Sequence, residues 1–157
     1  MRLLICAGGT GGGVYPAVTV LEALELDSEE VLWVGSRHGM EEALIMRRDI
    51  PYRAIPAAGV HGVGLRKLPG NLWKLFKGFL ASRRILRQFN PDALFFTGGY
   101  VAFPMAVAAL SKPSLLYVPD IEPGLALKVL ARFADRIALT TKTSSAYFPS
   151  KGKLTVT

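Results

Sequence analysis

The sequence predicts an α/β domain built on a doubly wound parallel sheet. Three observations carry that prediction. Short apolar runs rich in β-branched residues recur along the 157 residues. Helix-patterned segments lie between them, and glycine-bearing turns join several runs to the helix that follows. Most of the runs are continuous rather than alternating, as strands covered on both faces require. Strand and helix in alternation give a parallel sheet.

Taken in order, the runs are Leu3–Cys6, Val31–Val34, a shorter candidate at Arg53–Ile55, Ala93–Phe96, Ser114–Val118, Arg136–Leu139 and Leu154–Val156. Helical patterns fall at about Val14–Leu26, Met40–Arg48, Asn71–Phe89, Pro104–Leu110 and Leu125–Phe133. The loops Gly8–Gly13, Gly35–Gly39, Gly59–Gly64, Gly98–Pro104 and Pro119–Gly124 then share the carboxyl edge of the sheet. Ligands of open α/β sheets bind along that edge. The end, "KLTVT", reads as a strand with no helix after it, so the chain is expected to be one half of a larger protein.

Composition bounds the rest. The length fits one domain. The lone cysteine, Cys6, sits inside an apolar run and reads as a small buried strand residue. A single cysteine builds no disulfide framework, which points to a reducing cytoplasm. Leu3–Ala7 is too short for a signal sequence. Ala93–Leu110 lacks charge, but Gly98, Gly99 and Pro104 interrupt it, so it reads as strand, turn and helix rather than a membrane span. The net charge of +7 is regional. Arg53, Arg66, Lys67, Lys74, Lys77, Arg83, Arg84 and Arg87 occupy a window without an acid, and the remainder of the chain carries a net −1. Such a window implies an anionic partner.

Five of the six residues Gly8–Gly13 are glycine, and Thr10 supplies the one side chain. A glycine turn that opens a helix favours anions through bare N–H groups. The dinucleotide spacing G-x-G-x-x-G fails here, because Val14 or Pro16 falls at the third glycine. No acid ends the second run, and no Gly-Lys-Ser/Thr is present, so NAD and ATP are disfavoured and no cofactor is expected. A tight turn without a ligand is the alternative. A second glycine turn at Thr97–Pro104 argues for a cleft instead.

"GGTGGGVYPA" at Gly8–Ala17 and "GGYVAFP" at Gly98–Pro104 resemble the two glycine loops of the MurG-type N-acetylglucosaminyltransferases of glycosyltransferase family 28. The likeness extends through "RLLICAGGTGG", "VLWVGSRHGMEEALI", "IPYRAIPAAGVHGVGLRK", "NPDALFFTGGYVAFP" and "LARFADRIAL", in the family's order. The resemblance implies the Rossmann-like amino-terminal half of a GT-B enzyme, over residues 1–157, with the donor-binding half elsewhere. It implies an inverting hexosyltransferase that moves GlcNAc from UDP-GlcNAc to a polyprenyl-diphosphate muramoylpentapeptide, on the inner face of the plasma membrane. This half alone would be inactive. Thr10, Gly11 and Gly12 would face the donor's phosphate or sugar, and Gly98, Gly99 and Tyr100 would hold the acceptor pyrophosphate.

Two departures bear on the chemistry. The family has a histidine, a candidate general base, where this chain has Gly13. The family's H-E-Q-N turn aligns with Tyr117–Asp120. An inverting transfer needs a base near the acceptor hydroxyl. Asp120 is the candidate catalytic carboxylate; the alternative is an exposed loop acid. Asp120–Glu122 has D-x-D-like spacing, but no metal site is expected. His38 and His61 read as solvated or structural.

Leu72, Leu75, Phe76, Phe79 and Leu80 match one helix face, with Lys74 and Lys77 off it and Leu68 and Trp73 near its start. One reading is a core helix with a solvated basic side. The other is an interfacial helix on an anionic membrane surface. Nucleic acid is disfavoured, because the aromatics fall on the apolar stripe rather than on an open stacking face. Three functions stay open: the transferase half, including a related enzyme on another lipid-linked acceptor; a non-catalytic membrane-recruiting subunit; and a nucleotide-binding module.

Overall fold

A computed structural model describes residues 1–8, 11–27, 30–37, 39–59, 62–64, 66–148 and 153–157. The strands are β1 (Leu3–Ala7), β2 (Val31–Gly35), β3 (Tyr52–Ala54), β4 (Ala93–Gly98), β5 (Ser114–Val118), β6 (Arg136–Leu139) and β7 (Leu154–Val156). The helices are α1 (Gly11–Leu24), α2 (Met40–Met46), α3 (Leu68–Phe89), α4 (Ala102–Ala108) and α5 (Leu125–Leu130). A 3₁₀ turn spans Lys142–Tyr147. The strands form one parallel sheet in the order β3-β2-β1-β4-β5-β6-β7.

The central strands are buried at every or nearly every position, which explains their uninterrupted apolar runs. Alternate residues of β1 face opposite layers. Leu4 and Cys6 join a cluster with Leu86 of α3, Met105 of α4 and Leu127 of α5. Leu3, Ile5 and Ala7 join the other with Val14, Ala17 and Val18 of α1 and Ile45 of α2. The indole N–H of Trp33 donates to the Ala7 carbonyl at 2.9 Å and ties β2 to the end of β1.

Helix starts differ from the expected ones. α1 begins at Gly11, so Gly11–Gly13 form its first turn rather than a loop ahead of it. Pro16 is tolerated inside the helix, where its missing N–H would have reached the Gly12 carbonyl. α3 begins at Leu68, with Pro69 in its first turn, where a missing donor costs least. It ends at Asn90, which takes a left-handed conformation (φ 46°). The Ala93–Leu110 segment is strand, turn and helix. Among the described residues no helix is long and apolar enough to cross a membrane.

Cys6 is fully buried, in keeping with its reading as a strand residue. Burial first, and the nearby Glu41 charge second, push its thiol well above the ordinary range. A thiol held neutral is a poor nucleophile. A disulfide reagent at about pH 8 is therefore expected to leave the folded protein unlabelled and to react only after unfolding in urea. Rapid labelling of the folded chain would contradict this burial.

Candidate active site

The strand order reverses direction between β1 and β4, because β2 and β3 lie on one side of β1 while β4 to β7 lie on the other. The crevice outside the carboxyl ends at such a reversal is the usual ligand position in doubly wound sheets. Both glycine turns open there. They also touch. A Cβ built on Gly99 would fall onto the carbonyl of Gly8, so these backbones approach as only a glycine permits. Gly99 has φ +84° and Gly98 φ +119°, both in the region that side chains avoid. A Cβ on Gly98 would meet Leu127 of α5 at 3.1 Å. The glycines of the second turn thus serve close packing as well as exposing backbone.

Register explains how β4 presents this turn. Cys6 pairs with Phe96, but Ala7 pairs with Gly98, so Thr97 is an extra residue in β4. Such a bulge re-aims a side chain. Thr97 is 2% exposed, and its hydroxyl has no hydrogen-bond partner among the described residues. It faces Gly13: a Cβ there would lie 3.3 Å from Thr97 Oγ1 and 3.2 Å from the Thr97 carbonyl oxygen. A side chain at the position where the resemblance puts a histidine would start in tight contact with Thr97.

Of the remaining candidates at this edge, Gly12 is exposed and Gly11 half-buried. With Gly13 they begin a 14-residue helix, whose first N–H groups lack partners within it. Thr10, like His38 and His61, lies outside the described residues. Tyr100 is 40% exposed just past the second turn. Asp120 is exposed on the loop after β5. Its backbone is held, since the Ser144 hydroxyl donates to the carbonyls of Asp120 (3.1 Å) and Ile121 (3.0 Å). Among the described residues no three His, Cys, Asp or Glu side chains gather as a metal site.

One residue of this edge escaped the sequence reading. Glu41, in the first turn of α2, is 0% exposed. Ser36 donates to its Oε1 twice, through N–H at 2.8 Å and the hydroxyl at 2.6 Å. A buried carboxylate needs such donors. It also needs room, and three glycines give it: a Cβ on Gly8, Gly35 or Gly39 would overlap the Glu41 side chain. One carboxylate therefore backs the ends of both β1 and β2. Tyr52 closes the pocket by donating from its hydroxyl to the Ser36 carbonyl at 2.7 Å. Burial first, then the charge of Glu41, push that hydroxyl well above its ordinary range. The available signal was the acid in "GSRHGMEE", set among glycines at the end of a strand.

α3 leaves much of the apolar stripe of its first half exposed. Its buried residues are Gly78, Ser82 and Leu86. Leu72 (52%), Trp73 (57%), Phe76 (49%) and Leu80 (50%) are exposed, and Leu75 and Phe79 half-buried. Leu68 is half-buried at the helix start. Trp73 stacks on Phe76 at 5.6 Å between centroids, and Lys77 Nζ sits 5.4 Å from the Trp73 ring. Close backbone packing through Gly78 leaves the bulky stripe of the first half facing outward, while Leu86, with Ala81, Ile85 and Phe89, packs the second half on the core.

This sheet, with two glycine turns meeting at its reversal point, defines a Rossmann-like half of the GT-B kind. Residues 3–139 match the glycosyltransferase family 28 N-terminal domain, and the chain belongs to that family. A relative from Pelobacter propionicus is 39% identical over 98% of the chain, and one from Desulforamulus reducens 33% over 100%. Both are named UDP-N-acetylglucosamine–N-acetylmuramyl-(pentapeptide) pyrophosphoryl-undecaprenol N-acetylglucosamine transferase. The crystal structure of Acinetobacter baumannii MurG superposes over 99% of the chain with a TM-score of 0.82 at 30% identity. A UDP-GlcNAc 2-epimerase from Methanocaldococcus jannaschii shares the fold, with a TM-score of 0.68 at 13% identity. The chain spans 42% and 43% of the two curated relatives and 45% of the MurG chain.

The contact between the turns is open to test. Gly99→Ala combines a left-handed residue with a backbone clash, and is expected to cost at least ~2 kcal/mol in urea unfolding. Gly59→Ala, where a Cβ meets nothing within 4 Å, is expected to stay within about 0.5 kcal/mol of the parent. Equal stability of the two variants would mean that the turns do not touch.

Proposed function

We propose that the chain is the acceptor- and membrane-binding half of an inverting transferase that moves GlcNAc from UDP-GlcNAc to a lipid-linked diphosphate acceptor, as in lipid II formation for peptidoglycan. The observation that carries this reading is the meeting of the two glycine turns at the reversal point of the sheet. That geometry leaves the first N–H groups of α1 beside the second turn, where a diphosphate finds donors without competing side chains. Gly11, Gly12 and Thr10 then face the donor's phosphate or sugar. Gly98, Gly99 and Tyr100 hold the acceptor pyrophosphate. The names of the relatives support the substrates, and most donor contacts belong to the other half of the enzyme.

A base is still needed. Gly13 carries no proton acceptor and lies against Thr97, so Asp120, exposed on the next loop of the same edge, takes the general-base role in this reading. Full-length protein given UDP-GlcNAc and the undecaprenyl-diphosphate muramoylpentapeptide is expected to form the disaccharide lipid. No transfer would overturn the assignment. Asp120→Asn is expected to lower kcat by about 10²-fold or more with little change in KM. Unchanged turnover would end the role of Asp120 while leaving the transferase standing. The replaced base position also favours one second reading, a non-catalytic subunit that recruits a donor-binding chain to the membrane.

α3 supplies the membrane contact in this reading. Leu68, Leu72, Trp73, Leu75, Phe76 and Phe79 enter the headgroup boundary, while Lys74 and Lys77 meet anionic lipid. In the same reading the protein is peripheral on the inner face of the plasma membrane. The full chain is expected to sediment with vesicles containing anionic lipid. Lys74→Glu with Lys77→Glu is expected to weaken binding about ten-fold or more, since each cation near the surface contributes ~1 kcal/mol. Equal binding to neutral vesicles, or none to either, would remove the electrostatic contact.

A further inference from the structure

One cavity is almost wholly apolar and takes no part in the chemistry described so far. It measures about 190 Å³ and lies where α3, α4 and α5 converge beside the second glycine turn. Leu75, Phe103, Leu125 and Val129 wall it, and Gly99 and Tyr100 line it too. No charged side chain lines it among the described residues, and Tyr100 brings the one polar side-chain atom.

Its position joins two surfaces with different demands. Gly99 and Tyr100 belong to the turn that faces the crevice. Leu75 lies one turn along from Leu72 and next to Phe76, both exposed on the outward face of α3. A lipid with its diphosphate at the turn and its chain in a bilayer has to cross from one to the other. The cavity occupies that crossing. Its size narrows the occupant. Sites for drug-sized molecules start at about 300 Å³, whereas an apolar cavity of about 150 Å³ takes a benzene ring. A sugar or nucleotide is too large, and its hydroxyls would find no partners there. A branched five-carbon unit has the right bulk and chemistry. The relatives' names specify pyrophosphoryl-undecaprenol, a chain of such units attached to a diphosphate.

We propose that this cavity is the subsite for the first prenyl unit beyond the diphosphate of a lipid-linked acceptor. The proposal rests on the acceptor reading of the second glycine turn and adds a hydrocarbon contact to it. The pocket anchors the chain at its headgroup end, so the acceptor is recognised by its diphosphate and its first branch together. The rest of the chain stays in the bilayer.

Calorimetry with the full-length protein tests this, using inorganic pyrophosphate and geranyl diphosphate as probes. Wild type is expected to bind geranyl diphosphate about ten-fold or more tightly than pyrophosphate, because burying five carbons is worth at least that much. Val129→Phe, which fills the cavity, is expected to remove most of the difference. Val129→Ala, which enlarges it, is expected to shrink the difference as packing loosens, and serves if the larger side chain prevents folding. Equal affinity for the two probes in wild type would overturn the subsite alone. A preference that survives both substitutions would do the same, by placing the hydrocarbon elsewhere. Failure of both probes to bind would overturn the acceptor reading and the subsite with it.

Discussion

The close approach of Gly99 to the Gly8 carbonyl is the constraint on which the rest of the site depends. It brings the ends of β1 and β4 together at the one place in the sheet where a crevice opens by topology. The bulge at Thr97 turns the chain into that contact, and the positive φ values of Gly98 and Gly99 carry it out again. Without the contact the first turn of α1 has no fixed relation to Tyr100, and two separate loops replace one crevice. The paired glycine motifs are therefore an architectural requirement before they are a ligand surface.

Glu41 supports the same region from behind. Its carboxylate fills space that Gly8, Gly35 and Gly39 leave free, and it fixes the turn at Ser36 by accepting two hydrogen bonds from that residue. The crevice has backbone on its open side and the buried Glu41 side chain beneath. Rigidity here comes from a hydrogen-bonded carboxylate rather than apolar packing, which allows glycines to be this numerous at the end of two strands.

The strands and their order of appearance were legible because parallel strands buried on both faces leave an unmistakable run of apolar residues. Leu3–Ala7 and Val31–Gly35 are the clear cases. Helix starts were less legible. Gly11–Gly13 have low helix propensity, yet they are helical, and α1 packs closely against β4, where a Cβ on Gly13 would sit tightly at 3.2–3.3 Å from Thr97. The site was half readable. The glycine turns announced themselves by composition, while Glu41 and Thr97 did not, since their importance lies in contacts between distant segments. α3 left two readings open. Its apolar periodicity is real, but periodicity does not say which side faces the protein.

The way α3 is attached decides which of its positions the domain depends on. At its middle the helix meets the domain through Gly78, where any side chain would collide with the Pro56 carbonyl. Ser82 turns its hydroxyl back onto the Gly78 carbonyl at 2.8 Å. Leu86, with Ala81, Ile85 and Phe89 against the same cluster, anchors the second half, whereas Leu72, Trp73 and Phe76 of the first half stay exposed. Substitution at those exposed positions is expected to cost the fold little, while the seam through Gly78, Ser82 and Leu86 admits little change. A single helix thus carries, on opposite sides, the residues that tie it to the domain and those that leave its apolar stripe open.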